Sequence, residues 1–178
     1  AVSSNVCTAK LVEPLGDKLA ESFRRYHLAA PAHLDTRTLE GASVAMGEGV
    51  KVSALELAAA YTALADDGMF HAVGSAAGVR VMPADTARTI RALMERVVTD
   101  ADGTGRAARL DGVRVAGKTG TARSRAGADR GHYASFVGIV PADAPRFIVL
   151  VALDGVDGSG GTVAAPVAAT IASRALAR

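Results

Sequence analysis

The segment GVRVAGKTGTAR, residues 112–123, is compatible with two different structures and therefore decides how the second half of the chain folds. Its G-x-x-x-x-G-K-T spacing matches a phosphate-binding loop, in which the Lys-Thr pair opens a helix. The residues between the two glycines, however, are Val-Arg-Val-Ala, which favour an extended strand. A glycine follows the motif directly, and no apolar stripe of helical period comes after it. We therefore predict a β-strand with Lys118 in its middle.

The flanking sequence extends this strand into a sheet. Residues 113–121, 132–140 and 146–153 are rich in β-branched and aromatic residues, which predicts three strands. Their connections have the lengths of hairpin loops, so we expect antiparallel pairing. A final helix is predicted from about residue 162, with Pro166 in its first turn.

The first half of the chain reads as helices. Ser4 and Asn5 can cap a helix that runs to about residue 12, and residues 30–51 are predicted to be irregular. The spacing of Ser53 and Glu56 is that of a capping box, and a further helix is predicted over residues 85–99 with Asp85 as its cap. We expect one α/β domain over residues 1–178, with a helical part about 1–106 and a strand meander plus C-terminal helix about 107–178.

Composition excludes several classes of function. The 178 residues are 49% hydrophobic with a net charge of +2, and they contain three Tyr, four Phe and no Trp. Such a chain can build a core, but it offers no basic block or aromatic platform for nucleic acid. A single cysteine, Cys7, excludes an internal disulfide and a thiolate zinc cluster. The four histidines show no ligand spacing, so we expect neither metal nor cofactor.

A lysine in mid-strand followed by Thr-Gly-Thr suits the wall of a peptide-binding cleft. Lys118 offers a cation, Gly120 allows a substrate backbone to approach, and Thr121 offers a hydroxyl and a backbone N–H for an oxyanion. In a flat strand Lys118 and Thr121 would face opposite sides, because they are three positions apart. We therefore expect a kink or bulge near Gly120.

Two motifs carry a family resemblance. Lys118-Thr119-Gly120-Thr121 resembles the Lys-Thr-Gly motif of penicillin-binding proteins and serine β-lactamases, and Ser3-Ser4-Asn5 resembles their Ser-x-Asn motif. The surrounding segments follow the order seen in class B penicillin-binding proteins of the cell-division type: SSNVCTAKL, GEGVKVSALELAAAYTALADDG, GTGRAARLDGVRVAGKTGTAR, HYASFVGIVPADAPRFIVLVALDG and AAPVAATI. The resemblance covers nearly the whole chain.

The resemblance implies a partial transpeptidase fold, with an antiparallel sheet flanked by helices, and a serine acyl transfer that cross-links peptidoglycan stem peptides at D-Ala-D-Ala. It implies catalytic roles for Ser3, Asn5 and Lys118, and substrate binding by Thr119, Gly120 and Thr121. β-Lactams would be inhibitors and divisome membrane proteins would be partners. The intact protein would lie on the periplasmic side of the bacterial inner membrane.

One family motif is missing. No lysine of this chain completes Ser-x-x-Lys, the motif that carries the family's nucleophile. We expect a truncated chain that is inactive alone, since that motif lies upstream of Ser-x-Asn in the family. A catalytically silent or regulatory fragment of the same fold, and a phosphate-loop nucleotide binder, remain as alternatives.

Overall fold

A computed structural model describes residues 3–124 and 129–178 of the chain. Helices prevail as far as Thr99, and a three-stranded antiparallel sheet with a closing helix forms most of the remainder. The helices are α1 (Asn5–Val12), α2 (Asp17–Arg25), α3 (Leu39–Ala45), α4 (Ala54–Ala60), α5 (Thr62–Ala65), α6 (Ala84–Thr99) and α7 (Ala165–Leu176). The strands are β1 (Met69–His71), β2 (Gly78–Arg80), β3 (Ala116–Arg123), β4 (His132–Val140) and β5 (Phe147–Val156). A 3-10 turn (Arg106–Ala108) precedes β3, and a π-helical turn (Gly160–Ala164) leads into α7.

Side-chain caps fix the starts of two N-terminal helices. The Ser4 hydroxyl accepts a hydrogen bond from the backbone N–H of Cys7 at 3.3 Å and caps α1. Ser53 and Glu56 form the reciprocal bonds of a capping box at the start of α4. Each cap satisfies backbone N–H groups that have no partner within the helix. Both sequence predictions are confirmed.

The region that was expected to be irregular contains α3. The Thr38 hydroxyl caps this helix by accepting from the backbone N–H of Gly41 at 3.0 Å. A Cβ at Gly41 would lie 2.0 Å from the carbonyl oxygen of Asp35, so glycine is needed where the helix meets the preceding turn. The expectation for residues 30–51 was wrong, since the cap and this contact stabilise a helix of low intrinsic propensity.

A hairpin of β1 and β2 connects α5 to α6, and the sequence did not predict it because each strand has only three residues. Asp67 joins the hairpin to α6 through ion pairs with Arg88 at 2.6 Å and with Arg91 at 3.0 Å. Arg91 is buried and also donates to the carbonyl of Leu64. The predicted cap of α6 was wrong: Asp85 lies in the first turn and pairs with Arg88, because Pro83 already stands before the helix.

The sheet separates two apolar layers. The strand order is β3-β4-β5, and the three strands pair antiparallel as predicted. One face, which includes Phe136 and Val151, packs against α7 and Val98 of α6. The opposite face, which includes Ala116 and Ile139, packs against Met94 of α6. This architecture confirms the expected antiparallel sheet flanked by helices. In the described part of the chain, no helix combines the length and apolarity that crossing a membrane requires.

Candidate active site

Lys118 stands in the middle of β3, opposite Val137 of β4. Its ammonium nitrogen donates to the hydroxyl oxygen of Ser3 at 3.3 Å and to the carbonyl oxygen of Thr119 at 2.6 Å. No helix begins at Thr119, which confirms that the segment is not a phosphate-binding loop. The fold therefore brings the two predicted motifs, from opposite ends of the chain, to one place.

The start of α1 presents the Ser-x-Asn motif. Ser4 is the cap of the helix, so its hydroxyl is directed at the helix backbone. Ser3 precedes the cap and reaches Lys118, while Asn5 is exposed as the first residue of the helix. Two adjacent serines thus have different surroundings, since one caps a helix and the other contacts the lysine of the second motif.

The pKa of Lys118 is lowered, and burial of part of its side chain is the cause. Although the residue keeps an exposed surface, neighbouring protein removes part of the water around the ammonium and disfavours the charged form. A lysine with a lowered pKa exchanges protons at a lower pH than a fully solvated one. Because its neighbour is the hydroxyl of Ser3, the pair can pass a proton along a hydrogen bond.

The three residues after Lys118 have separate environments. Thr119 is buried, and its hydroxyl bonds to that of Thr104 at 2.8 Å. A Cβ at Gly120 would lie 2.5 Å from the hydroxyl of Ser135 on the neighbouring strand. The hydroxyl of Thr121 accepts a hydrogen bond from the backbone N–H of Gly160 at 3.0 Å. Within the described residues β3 is an end strand of the sheet, paired with β4 alone.

The expected kink or bulge near Gly120 was wrong. The pairing of β3 with β4 is regular from Ala116 opposite Ile139 to Arg123 opposite His132. The register shift lies instead between β4 and β5, at His132 to Ala134. Side chains therefore alternate regularly between the two faces of β3, because Gly120 packs closely against Ser135 and stays paired with β4.

Consequently Lys118 and Thr121 lie on opposite faces of β3. The lysine faces Ser3, and the threonine faces the turn that contains Gly160. The arrangement separates the Lys118–Ser3 pair from the hydroxyl of Thr121, which accepts a backbone N–H on the other side of the strand.

Three residues that lie against β3 were not predicted from the sequence. They are Thr104 beside Thr119, Ser135 beside Gly120 and Gly160 beside Thr121. Thr104 belongs to a Gly-Thr-Gly triplet, and Gly160 belongs to a Gly-Gly pair before α7. Closely spaced glycines next to the start of a helix indicate close backbone approach, and this pattern could have predicted the contacts of Thr104 and Gly160.

The site offers no set of metal ligands. Among residues 3–124 and 129–178, no group of three or more His, Cys, Asp or Glu side chains is placed to hold a metal ion. The ammonium of Lys118 supplies a positive charge at the site.

Comparison with known proteins agrees with this geometry. Residues 1–173 match the family model described as the penicillin binding protein transpeptidase domain. The probable peptidoglycan D,D-transpeptidase PenA of Neisseria meningitidis is 37% identical over 191 aligned residues, which cover 92% of this chain and 33% of that protein. The peptidoglycan D,D-transpeptidase FtsI of Escherichia coli is 28% identical, with 93% of this chain and 32% of that protein covered. The chain thus spans about a third of the length of these relatives.

Solved structures share the fold. The transpeptidase domain of FtsI4 from Legionella pneumophila superposes with a TM-score of 0.81 at 30% identity, covering 97% of this chain and 66% of that one. The transpeptidase domain of penicillin-binding protein 3 from Burkholderia pseudomallei gives 0.80 at 31% identity, covering 97% and 62%. The family model and these likenesses confirm the predicted resemblance. The chain belongs to the family of penicillin-binding protein transpeptidase domains.

Proposed function

We propose that this chain is part of a serine-type D,D-transpeptidase that cross-links peptidoglycan stem peptides. The observation that carries the proposal is the 3.3 Å contact between Lys118 and Ser3, which joins the Lys-Thr-Gly and Ser-x-Asn motifs. The family and the names of the relatives support the same reaction. β-Lactams are the expected inhibitors, and one solved relative, penicillin-binding protein 3 of Mycobacterium tuberculosis, is described as complexed with aztreonam.

The reaction proceeds in two acyl transfers. A serine oxygen bonds to the carbonyl carbon of the penultimate D-Ala, the C–N bond to the terminal D-Ala breaks, and that residue leaves as an amine with the serine proton. The amine of a second stem peptide then attacks the ester, forms the new amide and releases the serine. The nucleophile comes from a Ser-x-x-Lys motif outside these 178 residues, since the chain contains none.

The residues of this chain bind the donor peptide and move protons. Lys118 and Ser3 pass the proton between the nucleophile and the leaving or attacking amine, which the lowered pKa of Lys118 favours. Asn5 hydrogen-bonds the substrate amide. Thr119 and Gly120 hold the strand against which the peptide lies, and Thr121 binds the terminal carboxylate and offers its N–H to the oxyanion.

The cellular setting follows from the family resemblance. We place the intact protein at the bacterial inner membrane, with this domain on the periplasmic side, where peptidoglycan is assembled. Divisome membrane proteins are the proposed partners, because the resemblance is to the cell-division type.

Covalent labelling with a fluorescent penicillin tests the proposal. The chain is incubated alone, and also with a segment of the Neisseria relative that carries a Ser-x-x-Lys motif. We expect no label on the chain alone and a label on the serine of the added segment when both are present. A segment whose serine is replaced by alanine is the control.

Two other results would contradict the proposal. Absence of label with both parts folded together would favour the silent or regulatory fragment. Protection of the chain from proteolysis by ATP and magnesium, without any reaction with penicillin, would favour a nucleotide binder.

A further inference from the structure

A second cavity-forming region lies between the end of α2 and the start of α4. The cavity has a volume of about 380 Å³, which is within the range of small-molecule sites. Its lining combines charged and polar side chains with apolar ones: Arg24, His27, Lys51 and Glu56, together with Leu28 and Val52. None of these residues belongs to the two motifs of the candidate active site, so the cavity is a separate feature of the molecule.

Opposite charges line this cavity without pairing. In the part of the chain that the structure describes, Arg24, Lys51 and Glu56 form no ion pair with one another. Two of them are anchored elsewhere: Nη2 of Arg24 donates to the carbonyl oxygen of Pro31 at 2.7 Å, and Oε2 of Glu56 accepts from the N–H of Ser53 at 2.8 Å. These anchors hold the charges apart and do not use Nη1 of Arg24 or Oε1 of Glu56.

The carboxyl group of Glu56 is ionised at neutral pH. Hydrogen bonds that it accepts from the hydroxyl and the backbone N–H of Ser53 lower its pKa. Guanidinium and ammonium groups are cationic at the same pH. The cavity therefore presents charges of both signs, and a ligand that carries both can contact each of them.

His27 adopts a costly backbone conformation at the edge of this cavity. It follows the C-cap of α2 with a φ of 56°, in the left-handed region where glycine is the usual residue. The N–H of Leu28 donates to the carbonyl oxygen of Phe23 at 3.0 Å and closes the turn. The imidazole ring lies edge-on to Phe70, with 5.1 Å between the ring centroids. Since glycine would form this turn at lower cost, the strain favours a role for the ring itself.

We infer that the cavity binds a small zwitterion of the amino-acid class. Arg24, Lys51 and the ring of His27 receive the α-carboxylate. Glu56 receives the α-ammonium, and the apolar part of the lining contacts a short side chain. Charge-assisted hydrogen bonds to both ends of such a ligand satisfy groups that the protein keeps apart. The inference does not rest on the proposed function, although the proposed reaction releases D-alanine, which is a member of this class.

Titration of the chain with D-alanine tests the inference. The NMR shifts of the backbone amides of Leu28 and Val52 are followed at constant ionic strength, and we expect saturation with a dissociation constant of about 1 mM. N-acetyl-D-alanine lacks the ammonium and D-alaninamide lacks the carboxylate. Each should bind about fivefold more weakly, as expected for one charged contact in an exposed site. No saturation at about 100 times that concentration, or equal affinity for all three compounds, would overturn the inference.

Two charge-removing variants assign the two ends of the ligand. Glu56→Gln keeps a side chain that can complete the capping box but removes the anion. It should weaken binding of D-alanine about fivefold and leave binding of N-acetyl-D-alanine unchanged. Lys51→Gln should weaken binding of both of these compounds and leave D-alaninamide unchanged.

Glu48→Gln and Lys10→Gln are the matched controls, because both residues are exposed and neither lines the cavity. Both controls should bind D-alanine as the unsubstituted chain does. The inference would be overturned if Glu56→Gln weakened binding of D-alanine and N-acetyl-D-alanine equally, or if the controls weakened binding as much as the cavity variants.

His27→Gly separates the ring from the turn. Glycine adopts the left-handed conformation without strain, while the contact with Phe70 is lost, so the midpoint of thermal unfolding should change little. Binding of D-alanine should nevertheless weaken about fivefold. His33→Gly is the control, since the exposed His33 lies outside the cavity. Unchanged binding in His27→Gly would contradict the role assigned to the ring.

These titrations separate the inference from the proposed function, because they need neither a nucleophile nor penicillin. A chain that binds no amino acid but supports penicillin labelling of the added segment would overturn the inference and leave the proposed function standing. A chain that binds D-alanine with the expected pattern but supports no labelling would do the reverse.

Discussion

The ammonium of Lys118 donates to the hydroxyl of Ser3 at 3.3 Å, across 115 positions of the sequence. The contact forms because β3 is held in the sheet while the cap at Ser4 fixes the first turn of α1. Neither motif can adopt this arrangement from local sequence alone. The contact between Lys118 and Ser3 therefore depends on the tertiary fold as well as serving the proposed chemistry.

Lys118→Met should abolish most acylation by penicillin. The substitution keeps much of the side-chain volume but removes the cation and the proton carrier, whose loss typically lowers rates by about 10²-fold or more. The rate constant for labelling, with the Ser-x-x-Lys segment supplied, is the measurement. Lys51→Met is the control, since Lys51 is exposed and belongs to neither motif. Equal rate constants in the two variants would contradict the role of Lys118.

The stability of the chain should depend on pH through Lys118. Its pKa is lowered in the folded state by burial, so between that value and the unfolded value of about 10.4 the unfolded chain binds more protons. Stability must then rise with pH in this window, as the charged form that burial disfavours disappears. Below the folded pKa the destabilisation is present in full.

Urea denaturation from pH 7 to about pH 10.4 checks this sign. The free energy of unfolding of the unsubstituted chain should rise relative to that of Lys118→Met, which has no group to titrate at this position. A difference that stays constant, or that falls as the pH increases, would contradict the lowered pKa.

Substitutions of the two adjacent serines should have different effects, one on the acylation rate and the other on the stability of the chain. Ser3→Ala removes the partner of Lys118 and should reduce the acylation rate constant about tenfold or more with little change in stability. Ser4→Ala removes the cap of α1 and should destabilise the chain by about 1 kcal/mol. Labelling kinetics and thermal unfolding on both variants test this. The prediction fails where Ser4→Ala lowers labelling of the folded fraction more than Ser3→Ala does.

Much of this arrangement could be predicted from the sequence, and the remainder depends on packing. The capping box of Ser53 and Glu56 is a local pattern, and so is the period of the strand around Lys118. The bond between Thr104 and Thr119 joins residues 15 positions apart, and that between Gly160 and Thr121 joins residues 39 apart. No local period encodes such pairs. The prediction of a bulge at Gly120 was wrong for the same reason. Gly120 lies close to Ser135, which belongs to the neighbouring strand and not to the local sequence.

Gly120→Ala should disturb the close contact between Gly120 and Ser135. The new methyl group would meet the Ser135 hydroxyl at 2.5 Å, so the variant should be destabilised by about 1–3 kcal/mol. Ser135→Ala removes that oxygen, and the double variant should recover most of the loss, as a double-mutant cycle in denaturant can show. Penicillin labelling should not recover, because the methyl group stays on the face of β3 that carries Lys118. Recovery of labelling together with stability would mean that Gly120 serves packing alone.

Asp67→Asn should destabilise the hairpin and α6 without affecting the site. Burial raises the pKa of Asp67, but hydrogen bonds from Arg88 and Arg91 outweigh it and hold the pKa below its ordinary value. The carboxylate therefore contributes stability above about pH 3.9, which is lost as the pH falls through the lower folded pKa. The asparagine leaves the buried Arg91 without its charged partner, at a loss of about 1–2 kcal/mol because Asp67 is partly exposed.

Acid titration of the free energy of unfolding distinguishes this network from general surface charge. Asp102→Asn is the control, because Asp102 is an exposed carboxylate in the loop after α6. The unsubstituted chain and the control should lose stability in parallel at acid pH, whereas Asp67→Asn should start lower near neutral pH and converge with them in acid. Convergence is required because protonation of Asp67 removes the same charge that the substitution removes. Curves that stay parallel down to about pH 2 would show that the ion pairs of Asp67 do not hold the hairpin to α6.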